Sequence, residues 1–64
     1  MRVNGKNLAL AAPTSLADFL QDADYNSARV VVERNGEIIT AGRFADVQLA
    51  DDDHLEIVQF VGGG

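Results

Sequence analysis

The chain closes with the run Leu55-Glu56-Ile57-Val58-Gln59-Phe60-Val61, which passes directly into Gly62-Gly63-Gly64. Its β-branched and aromatic residues favour an extended strand. Consecutive glycines after a strand form a thin arm that can enter a cleft where any Cβ would clash. Terminal glycines also occur in frayed ends and linkers, so the tail alone leaves two interpretations open. If the tail is functional, the functional group is the terminal carboxylate of Gly64, and Gly63 is needed for passage into the cleft.

Size and charge restrict the classes of protein that this chain can represent. With 64 residues, 47% of them hydrophobic, and no cysteine, we expect one small domain over residues 1–61 and a flexible tail over 62–64. Ten acidic against five basic residues give a net charge of −5, which disfavours nucleic acid and favours a positively charged protein partner. The start of the chain has no apolar signal region, and no segment is long enough to span a bilayer. We therefore expect a cytoplasmic protein with no membrane partner.

Two Asn-Gly pairs predict tight hairpin turns, because both residue types tolerate the positive φ angles that such turns require. Asn4-Gly5 lies between residues 1–3 and 8–10, which are predicted as the first and second strands. Asn35-Gly36 separates the β-branched segment 28–34 from the short apolar segment 37–40, predicted as the third and fourth strands. Each hairpin is expected to bury one face.

A short helix is predicted between the two hairpins. Ser15, with Asp18 three residues later, has the pattern of a capping box, in which a hydroxyl and a carboxylate satisfy the first backbone N–H groups. The helix is expected over about residues 16–23, with one apolar face to bury. Its stripe consists of Leu16, Phe19, Leu20 and Ala23.

The order hairpin, helix, hairpin, loop, strand restricts the topology. A last strand that joins the same sheet is expected in its middle, parallel to the first strand and reached through a right-handed crossover. This is the α+β arrangement called the β-grasp, a mixed sheet of four to five strands with one helix packed on one face. The predicted core contains Val3, Leu10, Leu16, Phe19, Leu20, Val30, Val32, Ile38, Leu55 and Ile57.

Several stretches of the chain resemble the sulfur-carrier family of thiamin (thiazole) biosynthesis, a ubiquitin-like β-grasp family. They are Val3-Asn4-Gly5, Ser15-Leu16-Ala17-Asp18-Phe19-Leu20, Val32-Glu33-Arg34-Asn35-Gly36-Glu37-Ile38-Ile39 and the closing run with its glycines. The last two are the most specific. Where relatives commonly have an Asp-Gly-Asp turn, this chain has Asp51-Asp52-Asp53, so we expect a turn built without a left-handed glycine.

The resemblance implies a protein co-substrate rather than an enzyme. A partner adenylating (E1-like) enzyme would use ATP to activate the carboxylate of Gly64, and a sulfur-donor persulfide protein would convert it to a thiocarboxylate. The product would deliver sulfur to a thiazole synthase. The chain itself would bind no cofactor and no metal.

The residues give no sign of catalysis by the chain itself. No phosphate-binding glycine loop is present, His54 is the single histidine, and there is no cysteine. We expect His54 to be a solvated surface residue. The run Asp51-Asp52-Asp53 lacks the spacing of a calcium loop and is expected to be a solvated turn. In the irregular segment 42–50 before it, the expected core anchors are Phe44, Val47 and Leu49.

The alternation of the last strand predicts a docking surface. Three residues are expected to face the helix, namely Leu55, Ile57 and Val61, so that the alternate side chains lie on the exposed face. Exposed apolar side chains on a wet face are typical of an interaction site. The predicted docking residues are Val31, Val58, Phe60 and Gly62, with Glu33 and Glu56 as an acidic rim.

Two other functions remain open at the level of sequence. One is a sister β-grasp protein, either a sulfur carrier like the small subunit of molybdopterin synthase or a ubiquitin-like modifier whose Gly64 ends in an isopeptide bond. The other is a plain interaction domain with an irrelevant tail. The stretches 32–39 and 57–64 are more similar to the thiamin type.

Overall fold

Five strands and one α-helix make up the part of the chain that the structure describes. The computed structural model describes residues 1–10 and 12–61, so the predictions made for residues 62–64 lie outside it. The elements are β1 (Arg2–Val3), β2 (Lys6–Asn7), α1 (Leu16–Asp22), β3 (Val30–Arg34), β4 (Glu37–Ile39) and β5 (His54–Gln59), with 3₁₀ segments at Ser27–Arg29 and Ala41–Asp46.

The strands form one mixed sheet in the order β2-β1-β5-β3-β4. The first and last strands are adjacent and parallel, with Arg2 opposite His54 and Val3 opposite Leu55. The other pairings are antiparallel. The central position of the last strand and the β-grasp arrangement are therefore confirmed.

Both Asn-Gly pairs form the predicted tight turns. Positive φ angles occur at both residues of each pair, 52° and 82° at Asn4-Gly5 and 52° and 87° at Asn35-Gly36, as a type I′ hairpin turn requires. The predicted second strand at 8–10 is wrong, because a two-residue turn places the partner strand immediately after Gly5, at β2. Leu8 lies beyond β2 and is exposed, although its N–H still donates to the carbonyl of Met1 at 2.7 Å.

The start of α1 is fixed by its cap and by the loop that follows β4. The Ser15 hydroxyl accepts a hydrogen bond from the N–H of Asp18 at 3.1 Å, which confirms the serine half of the predicted capping box. The N–H of Leu16 donates to the carbonyl of Val47 at 2.9 Å. This second contact ties the helix start to the long segment between β4 and β5.

The helix ends in a Schellman motif built on an aspartate. Asp24 has φ 64°, and its N–H donates to the carbonyl of Gln21 at 3.1 Å, while the N–H of Tyr25 donates to the carbonyl of Leu20 at 2.8 Å. Left-handed backbone at Asp24 therefore ends α1. No helix within residues 1–10 and 12–61 combines the length and the apolar character needed to cross a membrane.

The core lies between α1, the 3₁₀ segment Ala41–Asp46 and one face of the sheet. Leu16 and Leu20 are completely buried, whereas Phe19 is half-buried and Ala23 is exposed, so the helix stripe is narrower than predicted. The expected loop anchors are confirmed as buried. The buried apolar residues are Met1, Leu16, Leu20, Val32, Ile39, Phe44, Val47, Leu49, Leu55 and Ile57.

One predicted core residue is wrong, and three others besides Phe19 lie at the margin. Ile38 is 64% exposed, and its neighbour Ile39 is buried in its place. The register explains this result, because Ile39 lies opposite Val32 on the helix-facing side, whereas Ile38 lies opposite Glu33 on the exposed side. The three predicted core residues that are only half-buried and pack against its margin are Val3, Leu10 and Val30.

Candidate functional site

The last strand lies in the middle of the sheet, with a neighbour on each side. On the β3 side it pairs from Arg34 opposite Leu55 to Val30 opposite Gln59. On the shorter β1 side the pairing covers His54 and Leu55. The chain end therefore leaves from the centre of the sheet rather than from an edge.

Two hydrogen bonds hold the chain just before the glycine tail. The N–H of Phe60 donates to the carbonyl of Arg29 at 2.8 Å, which continues the β5–β3 pairing past the end of the strand. The side-chain carbonyl of Gln59 accepts from the N–H of Asn26 at 2.8 Å. The predicted roles of Gly62, Gly63 and Gly64 fall on residues outside the described part of the chain and stay predictions.

The predicted docking residues that the structure describes lie on the sheet face opposite the helix. Val31 and Val58 are directly opposite each other on β3 and β5, and they are 39% and 58% exposed. Phe60 follows Val58 on the same side and is 59% exposed. We call Val31, Val58 and Phe60 the sheet patch.

Two carboxylates lie on the same face beside the sheet patch. Glu33 on β3 is directly opposite Glu56 on β5, and both residues are exposed. Like charges directly opposite each other destabilise a sheet. On its other side, toward β4, Glu33 lies opposite Ile38. The row across the three strands is therefore Ile38, Glu33 and Glu56, with one apolar side chain followed by two acidic ones.

Val61 does not face the helix as predicted. It is 84% exposed, and β5 ends two residues earlier at Gln59. The short helix α1 covers the sheet only as far as Ile57, the last buried residue of β5. Beyond Ile57 the apolar side chains of the chain end have no core to enter.

The acidic turn before β5 is only partly solvated. Asp51 and Asp52 are exposed as predicted, and no residue of the turn has positive φ, so it is built without left-handed backbone. Asp53 contradicts the prediction, because it is 3% exposed. Its carboxylate accepts hydrogen bonds from Arg34 Nε at 3.0 Å, Asn35 Nδ2 at 2.9 Å and the N–H of Ala50 at 2.8 Å.

The net effect of these contacts on the Asp53 carboxyl follows from opposing causes. Burial raises the pKa of Asp53, whereas the bonds from the Ala50 N–H, Asn35 and Arg34 lower it. The hydrogen bonds and the arginine charge prevail, and the pKa lies below the ordinary aspartate value. Asp53 is therefore an ionised structural residue that fixes the start of β5.

Sequence reasoning missed a second role of the two turn asparagines, which both bond to the last strand. The Asn35 side chain accepts from the N–H of His54 at 2.9 Å. The Asn4 side chain accepts from the N–H of Ile57 at 2.7 Å and donates to its carbonyl at 3.1 Å. An Asn-Gly pair signals only a turn, and nothing in one sequence says that its side chain reaches across to another strand.

The described residues, 1–10 and 12–61, include no cluster of three or more histidine, aspartate and glutamate side chains that could ligate a metal ion. His54 is exposed, and the chain contains no cysteine.

A mixed sheet with one helix on one face and the last strand at its centre defines the ubiquitin-like β-grasp class. In the sequence, Phe60 and Val61 follow the central strand and precede the three glycines. The chain belongs to the ThiS family, whose family model matches residues 1–64.

Individual relatives agree with this assignment over the whole chain. The sulfur carrier protein ThiS of Bacillus subtilis is 42% identical over 65 residues, covering 100% of this chain and 98% of that protein. The crystal structure of the thiamine biosynthesis protein ThiS from Geobacter metallireducens aligns with a TM-score of 0.81 at 29% identity, over 98% of this chain and 96% of that one. A thiazole synthase of Paramagnetospirillum magneticum is 39% identical over 62 residues, which are 97% of this chain but 19% of the synthase.

Proposed function

We propose that this chain is the sulfur carrier of thiamin biosynthesis and that the carboxylate of Gly64 is the group that carries sulfur. The main support is the full-length match to a sulfur carrier at 42% identity, together with a glycine tail that follows the central strand of the sheet. On this proposal the folded part presents the tail to partner enzymes. The carrier works in the cytoplasm and is a co-substrate, not a catalyst.

The proposed chemistry starts from a carboxylate, which is a poor electrophile until it is activated. An adenylating (E1-like) partner binds ATP and joins the Gly64 carboxylate to AMP, releasing pyrophosphate. The terminal sulfur of a donor persulfide then attacks the acyl carbon, and AMP leaves. A thiol cleaves the sulfur–sulfur bond and becomes part of a disulfide, so that Gly64 ends in a thiocarboxylate.

Glycine at the last positions suits this chemistry. Only backbone has to enter the partner's active site, and the acyl carbon stays open to attack. The proposal assigns no cofactor to this chain, because ATP is bound and used by the partner. Gly63 is assigned the passage into the cleft, and Gly64 the reacting carboxylate.

The proposed acceptor of the sulfur is a thiazole synthase. The similarity of this chain to one fifth of a thiazole synthase supports the assignment, because it places a stretch like this one within the same polypeptide as that activity. On this proposal the loaded carrier meets a thiazole synthase as a second partner after the adenylating enzyme.

The sheet patch is the proposed docking surface for these partners, and Gly62, which follows Val61 in the sequence, is the fourth proposed docking residue. Val31, Val58 and Phe60 are exposed apolar side chains on the face opposite the core, and burying them against a partner would release water from apolar surface. The net charge of −5 favours a positively charged partner surface.

The proposal is tested by the mass of the protein after incubation with ATP, an adenylating enzyme and a sulfur-donor persulfide protein. The full chain should gain the mass difference between one sulfur and one oxygen, and fragmentation should locate the gain at Gly64. Deletion of Gly64, or addition of one residue after it, should abolish the gain while leaving the circular dichroism spectrum unchanged. The matched control is Lys6→Ala, at an exposed residue of β2, which should still accept sulfur.

Two results would contradict the proposal. A full-length chain that accepts neither AMP nor sulfur overturns the carrier function, as does an extended chain that still accepts sulfur. An isopeptide bond between Gly64 and a lysine, instead of a thiocarboxylate, would support the modifier alternative. Thiazole formation by a synthase supplied with the loaded chain separates this carrier from the molybdopterin type.

A further inference from the structure

The side chain of Asn4 completes the sheet at a point where β1 has already ended. Asn4 turns the chain away from the sheet with φ 52°. Its Oδ1 nevertheless accepts from the N–H of Ile57 at 2.7 Å, and its Nδ2 donates to the Ile57 carbonyl at 3.1 Å. These two bonds replace the pair that a further strand residue would make, so Ile57 remains paired on the β1 side.

Ile57 is the last residue of β5 whose backbone groups are hydrogen-bonded on the β1 side. Backbone groups of a strand alternate between its two neighbours. On the β1 side, hydrogen bonds within residues 1–10 and 12–61 reach Leu55 through the N–H of Asn4 at 2.9 Å, and Ile57 through the Asn4 side chain. Farther along, the backbone contacts at Val58 and Phe60 are to β3 or to the residue before it. Up to Val61, the Asn4 amide is therefore the last hydrogen-bonding constraint on the β1 side of the departing chain.

A constraint at Ile57 affects the point from which the glycine tail starts. Val61, which precedes the tail, is four residues farther along, about 13 Å of extended chain. A tilt of about 5° at Ile57 would move Val61 by about 1 Å. Misplacement of reacting groups by about 1 Å can slow a reaction on the order of a hundredfold.

Asparagine is the one turn residue that can supply both bonds. Asn, Asp and Gly all serve at the first position of a type I′ turn. Aspartate would accept from the Ile57 N–H but has no donor for the Ile57 carbonyl, and glycine has no side chain. The turn alone therefore does not require asparagine, whereas the contact with Ile57 does.

We propose that Asn4 is a positioning residue for sulfur loading: its amide sets the direction in which the chain leaves the sheet and so places the Gly64 carboxylate for adenylation. The inference rests on the carrier function proposed above. Asn4 acts through the backbone of Ile57 and lies outside the sheet patch, so its role is separate from docking.

The test compares Asn4→Gly and Asn4→Asp with the parent chain. Both variants keep the turn, and Asn7→Ala is the matched control, because it removes an exposed amide from the same hairpin at a position paired with Arg2. Steady-state adenylation, followed by pyrophosphate release from the adenylating enzyme, gives kcat and KM for each chain. Amide hydrogen exchange of the free protein reports the N–H of Ile57.

The expected result is a change in kcat without a change in KM. Asn4→Gly should lower kcat on the order of tenfold and leave KM unchanged, because the sheet patch is intact. Asn4→Asp should fall in between, and Asn7→Ala should match the parent. Exchange at Ile57 should accelerate on the order of tenfold in Asn4→Gly.

Other outcomes overturn the inference and are distinguishable from one another. If both Asn4 variants are adenylated with the same kcat as the parent, the positioning role of Asn4 is overturned and the carrier function is not. Equal exchange rates at Ile57 overturn it as well, even if one variant is inactive. A parent that is never adenylated overturns the carrier function, and the role of Asn4 in sulfur loading with it.

Discussion

Arg34 at the end of β3 and Asp53 before β5 form an ion pair, with Nε donating to Oδ2 at 3.0 Å. The arginine also donates through Nη2 to the carbonyl of Gln48 at 3.1 Å. Asn35 donates to the other carboxylate oxygen at 2.9 Å. One buried carboxylate therefore joins the second hairpin turn, the long loop and the start of the last strand.

Replacement of this carboxylate should destabilise the protein at neutral pH. Asp53→Asn cannot accept the same three hydrogen bonds and removes the charge opposite Arg34, so we expect a loss of about 2 kcal/mol in the free energy of unfolding. Urea denaturation at pH 7 measures it. The control is Asp52→Asn, at an exposed residue of the same turn, which should stay close to the parent.

The same ion pair predicts how stability depends on pH. Because the pKa of Asp53 is lower in the folded protein than in the unfolded chain, its contribution is fully present above the ordinary aspartate value of about 3.9. As the pH falls below that value toward the folded pKa, the contribution is lost. The stability gap between the parent and Asp53→Asn should therefore narrow in acid, and a gap that widens there would contradict the assignment.

The helix stripe predicts an order of core substitutions. Leu20 is completely buried, so Leu20→Ala should cost about 3 kcal/mol and bring a domain this small close to unfolding. Phe19 is only half-buried at the edge of the core, and Phe19→Ala should cost about 2 kcal/mol despite its larger side chain. Urea midpoints of the two variants decide the order, and a larger loss for Phe19→Ala would misplace the centre of the core.

The end of α1 offers a stabilising substitution. Asp24 has left-handed backbone, which glycine adopts without strain, and its carboxylate lies at the negative end of the helix dipole. Asp24→Gly should therefore stabilise the protein by about 1 kcal/mol. The neighbouring Ala23 has φ −89°, so Ala23→Gly should destabilise instead. Thermal unfolding of both variants checks the opposite signs.

How far the sequence predicts this fold depends on which residues set each element. Asn4-Gly5, Asn35-Gly36 and the Ser15 cap act through local backbone chemistry, and all three were predicted correctly. The adjacent Ile38 and Ile39 are different, because either can face the core and only the register with β3 decides between them. Pairing across the sheet is a tertiary choice that a local pattern does not contain.

The candidate site divides in the same way. The exposed positions of Val58 and Phe60 follow from strand alternation, which is local. The contacts of Asn4 with Ile57 and of Arg34 with Asp53 join residues far apart in the chain, and each of these side chains had a sufficient local explanation as a turn or surface residue. Val61 was misplaced because alternation gives no information on where the helix stops covering the sheet.

Replacement of one of the two facing carboxylates should stabilise the free chain but slow its association with a partner. Glu56→Gln relieves the repulsion from Glu33 directly opposite and should stabilise the free chain by about 0.5 kcal/mol, less so in 1 M salt. The same change should slow association with a positively charged partner. Glu37→Gln is the control, because Glu37 lies opposite Arg34 and its replacement should not stabilise. Urea denaturation at two salt concentrations and stopped-flow binding measure the two effects.

The sheet patch predicts which apolar side chains matter for docking. Phe60 is 59% exposed on the face opposite the core, so Phe60→Ala should change the stability of the free chain by less than about 1 kcal/mol. If the adenylating enzyme buries this ring, the same substitution should weaken binding by about 2 kcal/mol, or roughly thirtyfold in Kd. Leu8→Ala is the matched control, because Leu8 is 44% exposed but lies on the first hairpin, away from the sheet patch. Titration calorimetry of the parent and both variants with the adenylating enzyme gives the three dissociation constants. An unchanged Kd for Phe60→Ala, or an equal loss of affinity for Leu8→Ala, would show that the partner binds another surface. Neither result would bear on sulfur loading at Gly64, which the mass measurement tests separately.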